Sequence, residues 1–465
     1  MTAQAATLQL SGHIACPGAP QSVQSTGIPA EFLGELSLKV LLLRGRLMVP
    51  ALADVTCLPR SVVRTVLEDL RREQLVEIAR GGTTELQAEY QLTERGRSRA
   101  GESIARCAYA GPAPVSLESY EQIVGLQSMS HATFSGDSIR RAFGHVILQH
   151  GVLDQIGAAM NSGRAILLYG PAGSGKTHLA ELLTHVMAGS VLVPHALYVA
   201  GDVVQVFDPL VHRPFGDDNL SSGVKGGLSM LSVSEDKRWV RCSRPLGITG
   251  GELTLPMLDL QYDHSSRIYQ APPHMKSNGG VFVIDDLGRQ LVGARELMNR
   301  WIVPLDRQKD YLSLNNGFKF TVPFDLTVVF STNLHPTELA DEAFLRRFGY
   351  KIYIGSLEPD QYRAITRNVC ELTGVQFDGA VLDWLIEERH KARDKPLLAC
   401  YPRDLLGRVH DFALYENLPP VMTREALDRA WSSYFVHTNT DPAVQPVRVP
   451  EGVNGLGSRH TSEMS

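Results

Sequence analysis

The stretch "AILLYGPAGSGKTHLAELL", residues 165–183, decides how the rest of the chain is read. Five residues of an apolar run stop at a cluster of glycines, and helical apolar spacing takes over after Lys176 and Thr177. Gly170, Gly173, Gly175, Lys176 and Thr177 satisfy the spacing G-x-x-x-x-G-K-[ST], in the strand–loop–helix context that this spacing needs. Glycines free backbone N–H groups to wrap phosphate oxygens, and the following helix adds its positive end. Lys176 would neutralise the β/γ oxygens, and the Thr177 hydroxyl would sit on Mg²⁺. The whole run Gly170, Pro171, Ala172, Gly173, Ser174, Gly175, Lys176, Thr177 and His178 is the candidate nucleotide contact.

Working outward, "GGVFVIDDLG" (residues 279–288) is a second apolar run that closes on two adjacent acids, Asp285 and Asp286. A buried strand delivers charge to a sheet edge in this way. Asp285 would hold the magnesium shell, and Asp286 would polarise an attacking water. A third run, "FDLTVVFSTNLHP" (324–336), ends in the polar residues Ser331, Thr332 and Asn333. Then come "DEAFLRRFGYKIYI" (341–354), with the arginine pair Arg346 and Arg347 before Phe348, and "YPRDLLGRVHDFALYEN" (401–417), in which Pro402 opens a helix.

Taken in order, these segments resemble the AAA+ ATPase family. The resemblance covers about two thirds of the chain, from roughly Phe134 to Val436. It implies an α/β parallel-sheet P-loop core followed by a C-terminal helical lid. Asn333 matches the polar sensor-1 residue, and Arg347 matches the arginine finger, with Arg346 in reserve. Arg403 matches the sensor-2 arginine that faces the γ-phosphate. Because fingers act on a neighbour's nucleotide, the resemblance implies a homo-oligomeric ring, a hexamer in this family, with ATP and Mg²⁺ as ligands. Most of the family carries Glu where this chain has Asp286; losing one methylene withdraws the carboxylate by about 1.5 Å, one carbon–carbon bond. A misplacement near 1 Å costs about a hundredfold in rate. Either the backbone or a bridging water compensates and the protein is a working motor, or it is a slow switch that binds ATP and rarely turns over. The retained arginine pair favours hydrolysis.

Two insertions narrow the branch. About a hundred residues separate Thr177 from Val281, generous for two βα crossovers. Within them, "LGITGGELTLPMLDLQYDHSSRIYQAPPHMKSNGG" (246–280) reads as hairpin material. "DYLSLNNGFKFTVPFD" (310–325) alternates around Asn315, Asn316 and Gly317, a hairpin signal. These are similar to the helix-2 insert and pre-sensor-1 hairpin of the branch holding MoxR-type remodelling ATPases and bacterial enhancer-binding activators. The activators' GAFTGA loop is missing, which favours the MoxR-like side and a protein client.

Ahead of the core, residues 30–108 read as three helices, a hairpin and a closing polar helix. The phrase "LTERGR" (92–97) follows the hairpin, and the domain resembles a winged helix-turn-helix. If it reads duplex DNA, the helix after Pro59 would present Arg60, Ser61, Arg64 and Thr65 to the major groove. Arg80 of the wing and the cluster Arg95, Arg97 and Arg99 would hold phosphates. From Glu31 to Arg106 there are twelve Lys/Arg against eleven Asp/Glu, whereas DNA-binding domains carry a clearer basic excess. DNA binding and protein docking both stay open.

The expected organisation is a flexible tail over 1–29, the winged helix over 30–108 and a linker with a helix over 109–133. The nucleotide core follows over 134–355, then the helical lid over 356–437 and a second flexible tail over 438–465. The chain has 465 residues, a net charge of −5, and six scattered cysteines with no CxxC pair. That excludes a disulfide framework or a zinc site and fits a reducing compartment. No basic start followed by an apolar core opens the chain, and no apolar run is long enough to cross a bilayer. The expectation is a cytoplasmic protein without membrane insertion.

Overall fold

The computed structural model describes residues 14–80, 88–131, 133–144, 146–149, 151–187, 189–215, 234–339 and 341–435. At the centre of the nucleotide core lie five strands: β1 (Ala165–Tyr169), β2 (Leu246–Thr249), β3 (Val281–Ile284), β4 (Thr327–Thr332) and β5 (Phe348–Tyr353). They pair in the order β2-β3-β4-β1-β5, and every pairing is parallel. The apolar runs are unbroken because both faces are covered. Ile166, Leu168, Val281, Val283 and Val329 face the helices Val152–Ser162 and Lys176–Val186. Leu167, Phe282, Ile284 and Phe330 point the other way, onto Leu297, Met298 and Trp301 of the helix Ala294–Arg307. This is the α/β parallel-sheet P-loop core that the phosphate-loop stretch implied.

β2 corrects one expectation. Leu246–Thr249, taken as the start of hairpin material, is instead an edge strand of the core sheet, in register with Val281–Ile284. Four residues that must bury only one flank leave no signal that separates them from a hairpin arm. Only the later part of that stretch, Gln261–Asp263 with Ile268–Gln270, is an antiparallel pair. It joins a second, mixed sheet with Asp202–Gln205, Ala196–Val199 and Val115–Ser116. The stretch "GPAPV" (111–115), which lies in the linker expected over 109–133, therefore ends in a strand. The hairpin expected around Asn315, Asn316 and Gly317 is present, pairing Lys309–Ser313 with Lys319–Pro323, and Gly317 takes the positive φ of 85° at its tip.

The front region forms helices Ala30–Arg44, Val49–Thr56, Arg60–Arg72 and Glu94–Arg106. With them goes an antiparallel sheet in the order Leu47–Met48, Glu89–Leu92, Val76–Arg80. Val62, Val63, Val66, Leu67 and Leu70 are buried, as their spacing requires. Phe32 meets the Tyr198 ring of the mixed sheet at 4.9 Å, and the Ala108 N–H donates to the Ser266 carbonyl at 2.8 Å.

The described part of the expected N-terminal tail, residues 14–29, is packed. Ala19 N–H donates to the Ser234 carbonyl (2.7 Å), and Asp236 N–H donates to that of Pro17 (2.9 Å). The buried Arg238 grips Asp236 and donates to the carbonyls of Thr26 (2.8 Å) and Pro114 (3.3 Å). A polar segment orders when distant groups satisfy its backbone, which composition does not reveal. The expected tail over 438–465 and the hairpin loop at 81–87 lie outside the described residues.

The described chain divides into two compact units, one ending at Gln361 but including Leu398–Cys400, the other holding 362–397 and 401–435. The second unit is helical, with Tyr362, Leu382, Leu385, Leu405, Leu427 and Trp431 buried at its centre. Its first break falls six residues after the expected boundary at 355. Among the described residues no helix is long and apolar enough to cross a membrane.

Candidate functional site

All five parallel strands end at one edge, the place where open α/β sheets hold ligands. The phosphate loop leaves β1 there and closes at Lys176, the first residue of the helix Lys176–Val186. Gly170 has φ 146°, and a methyl group on it would run into the Ile354 carbonyl. Gly173 has φ 84° and leaves no room for a side chain beside Cys400. Only glycine meets both demands. Ser174 is buried and its hydroxyl has no partner. His178 points outward beside Glu181, 3.9 Å away. Pro171 is half-buried and Ala172 exposed.

Lys176 is 6 % exposed. Its ammonium donates to the carbonyls of Gly170 (3.0 Å) and Pro171 (2.9 Å) and to Asn333 Oδ1 (2.7 Å). Burial holds this lysine below the ordinary range, while Asp285 and Asp286 oppose that shift and Arg289 reinforces it. Asn333, just past the end of β4, passes the contact on: its Nδ2 donates to Asp286 Oδ1 at 3.1 Å. The Thr177 hydroxyl donates to Asp285 Oδ2 at 2.8 Å. Five sequence-predicted residues from three strand ends thus form one connected group.

Asp286 stands in the left-handed region, with φ 49°. That conformation costs an ordinary L-residue roughly 1–2 kcal/mol, and aspartate is among the few side chains that enter it readily. The turn has a physical preference for the shorter acid and swings its carboxylate to Asn333. The turn is tied from both sides. Leu287 N–H donates to the Ser331 carbonyl (2.8 Å), and the Thr332 hydroxyl donates to the Leu287 carbonyl (2.8 Å). Gln290 bonds to the carbonyls of Asp285 and Gly250 and to the N–H of Gly288. Sequence reasoning passed over Gln290 because nothing in "LGRQLVG" distinguishes a turn clamp from a solvated loop residue.

Among the described residues no group of three or more His, Cys, Asp or Glu is placed to hold a metal ion. The Thr177–Asp285 pair nevertheless fits Mg²⁺, which takes hard oxygen ligands, few of them from protein, and leaves the remainder to water and phosphate.

Arg346 and Arg347 are not part of this group. They precede β5, whose first residue Phe348 pairs with Ala165, while the phosphate loop follows Tyr169 at the far end of β1. Four residues of strand span about 13 Å, so both arginines lie at the opposite edge of the sheet. Arg347 pairs with Asp306 at 3.1 Å, and Arg346, largely exposed, pairs with Glu342 at 2.9 Å. Arg403 is exposed in the second unit, 3.7 Å from Asp404.

In the front region Arg60, Ser61, Arg64 and Thr65 are all exposed on the first turns of their helix, and Arg80 is exposed at the end of its strand. Arg64 lies 3.6 Å from Glu68. Arg97 pairs with Glu94, and Arg99 bridges Glu31 and Glu35, so two members of the expected phosphate-holding cluster already face acids. Arg95 is exposed.

Residues 358–433 match a family described as a domain of unknown function, DUF8689. No curated protein matches the chain. Among solved structures it is similar to the RuvB Holliday junction branch migration motor of Thermotoga maritima, with 14 % identity and a TM-score of 0.36. That match covers 64 % of this chain and 73 % of RuvB. A second similarity is to NtrX from Brucella abortus, with 13 % identity and a TM-score of 0.37, covering 66 % of this chain and 56 % of NtrX. At TM-scores of this size, the functional reading rests on the site's own geometry.

Proposed function

We propose that the protein is a Mg-ATP-dependent AAA+ ATPase that hydrolyses ATP in a homo-oligomeric ring to remodel a protein complex. The observation that carries this reading is the connected set Thr177–Asp285 and Lys176–Asn333–Asp286 at the carboxyl edge of the sheet. Lys176 exchanges its loop carbonyls for phosphate oxygens. Asp286 accepts a proton from the attacking water, and Asn333 orients both the acid and the lysine. Thr177 and Asp285 would hold Mg²⁺, which neutralises charge developing on the phosphates. A mutually hydrogen-bonded set costs little reorganisation at the moment of reaction.

The position of Arg346 and Arg347 supports assembly. A finger at the opposite edge of its own sheet would serve a neighbour's cradle, so activity requires an oligomer, a hexamer by family resemblance. Arg403 would then couple the γ-phosphate to the helical unit. The hairpin Lys309–Pro323 and the inserted mixed sheet favour the MoxR-like branch.

A second reading has one observation in its favour: Arg60, Ser61, Arg64 and Thr65 stand exposed together at the start of one helix. In that reading the front domain is a winged helix binding duplex DNA, ATP gates assembly, and hydrolysis is slow. ATP turnover measured against protein concentration, with and without duplex DNA, separates the two. The remodelling ATPase shows specific activity that rises with concentration, is indifferent to DNA and is lost in Lys176→Ala. Turnover unchanged in Lys176→Ala would sink both readings. Stimulation by DNA, weakening steeply with salt, would favour the second.

A further inference from the structure

The turn that follows β3 holds the acid proposed to activate water, and its geometry is unusual in two ways. Asp286 is a non-glycine residue in the left-handed region, followed two residues later by Gly288 at φ 100°. The segment is also held by one side chain from within. Gln290 Nε2 donates to the Asp285 carbonyl at 3.0 Å and to the Gly250 carbonyl, beyond the end of β2, at 3.3 Å. Its Oε1 accepts the Gly288 N–H at 2.8 Å. Donor and acceptor of a single amide are thus both spent on the three-residue turn that carries Asp286, and the turn is tied through it to the neighbouring strand.

We propose that Gln290 is a positioning residue for the hydrolytic reaction: it fixes the left-handed turn that aims the short Asp286 carboxylate at Asn333 and at the water site. This deepens the ATPase reading and rests on it. Gln290 bonds to neither the phosphate loop nor the side chains of the metal pair; it acts through the backbone on either side of Asp286, the Asp285 carbonyl included. The same turn accounts for aspartate at this position. Glutamate enters the left-handed region less readily, and its extra methylene would carry the carboxylate past Asn333 Nδ2.

The test compares kcat with binding in the full-length chain. Gln290→Glu keeps the length and the acceptor for Gly288 but sets a carboxylate against the carbonyls of Asp285 and Gly250. The expected result is a fall in kcat of about 10–100-fold, the scale of a 1 Å misplacement. Affinity for a non-hydrolysable ATP analogue stays within about threefold, because the phosphate loop is untouched. Asp286→Glu, which needs no refolding of the clamp, also lowers kcat although it lengthens the acid to the length common in the family. Wild-type kcat in Gln290→Glu overturns the proposal, as does a faster Asp286→Glu. So does a loss of analogue binding equal to the loss of kcat, which would mark Gln290 as merely structural. If Gln290→Glu does not fold, Asp286→Glu decides alone. Should the wild type itself show no turnover that depends on Lys176, the ATPase reading falls and takes this proposal with it; turnover in the wild type with no effect of either variant sinks only the positioning role.

Discussion

The carboxyl edge of the parallel sheet and the outward face of the helix Arg60–Arg72 both carry polar residues that a motif singled out, yet the fold treats them differently. At the sheet edge Lys176, Asn333 and Asp286 turn toward one another, with contacts of 2.7 and 3.1 Å, and the lysine is almost wholly buried. On the helix Arg60, Ser61, Arg64 and Thr65 face outward, and the nearest partner of Arg64 is a glutamate one turn along. Burying an ammonium is costly unless partners are built for it, so convergence is itself a sign of chemistry. An exposed arginine on a helix carries no such cost and no such message.

Several substitutions would break or sharpen that comparison. The largest effect belongs to Arg238, which is buried with Asp236 and holds Thr26 and Pro114. Arg238→Ala strands a buried carboxylate and is expected to lower stability by about 3–5 kcal/mol, read from denaturant unfolding. Asn333→Ala removes the link between Lys176 and Asp286. It is expected to cut turnover by about 10²–10³-fold, the scale of a lost preorganised donor, with nucleotide binding measured in parallel.

His390 extends the comparison to the helical unit. It lies 1 % exposed against Tyr362, Tyr401 and Trp431, and burial lowers its pKa to about 4 from the ordinary 6.5. Between those values the unfolded chain takes up a proton that the folded unit refuses. Stability therefore falls as pH drops from about 6.5 to about 4, by about 3 kcal/mol. His390→Phe should flatten the loss in melting curves recorded across that window. The smallest effect is that of Arg64→Ala: less than about 0.5 kcal/mol in stability, as for an exposed pair. It leaves turnover unchanged on the remodelling reading. On the DNA reading it weakens duplex binding, and if Arg64 contacts a phosphate it lowers the salt slope by about 1.

Much of the core was legible because its signals are local. Unbroken apolar runs such as Val281–Ile284 announce strands covered on both faces, and glycines at fixed spacing announce the loop whose backbone must take positive φ. The two acids, the threonine and the asparagine could be assigned to one edge because strands of a parallel sheet all end on the same side. Leu246–Thr249 was not legible as a core strand, since four residues pair as well in a hairpin. Gln290 was not legible at all, because its role depends on where the ends of β2 and β3 are brought together.

The sequence alone determined that this chain sets a glycine-rich loop and a helix on a parallel sheet and which polar residues end at that edge, for these follow from backbone stereochemistry and short-range periodicity. Only the tertiary structure decided that residues 14–29 are stitched to the segment around Arg238, and that Arg346 and Arg347 lie at the edge of the sheet opposite the glycine-rich loop. It also decided that Asp286 sits in a left-handed turn. Each of these depends on pairing between residues far apart in the chain, and the free energy of such pairing resides in partners that no local stretch contains.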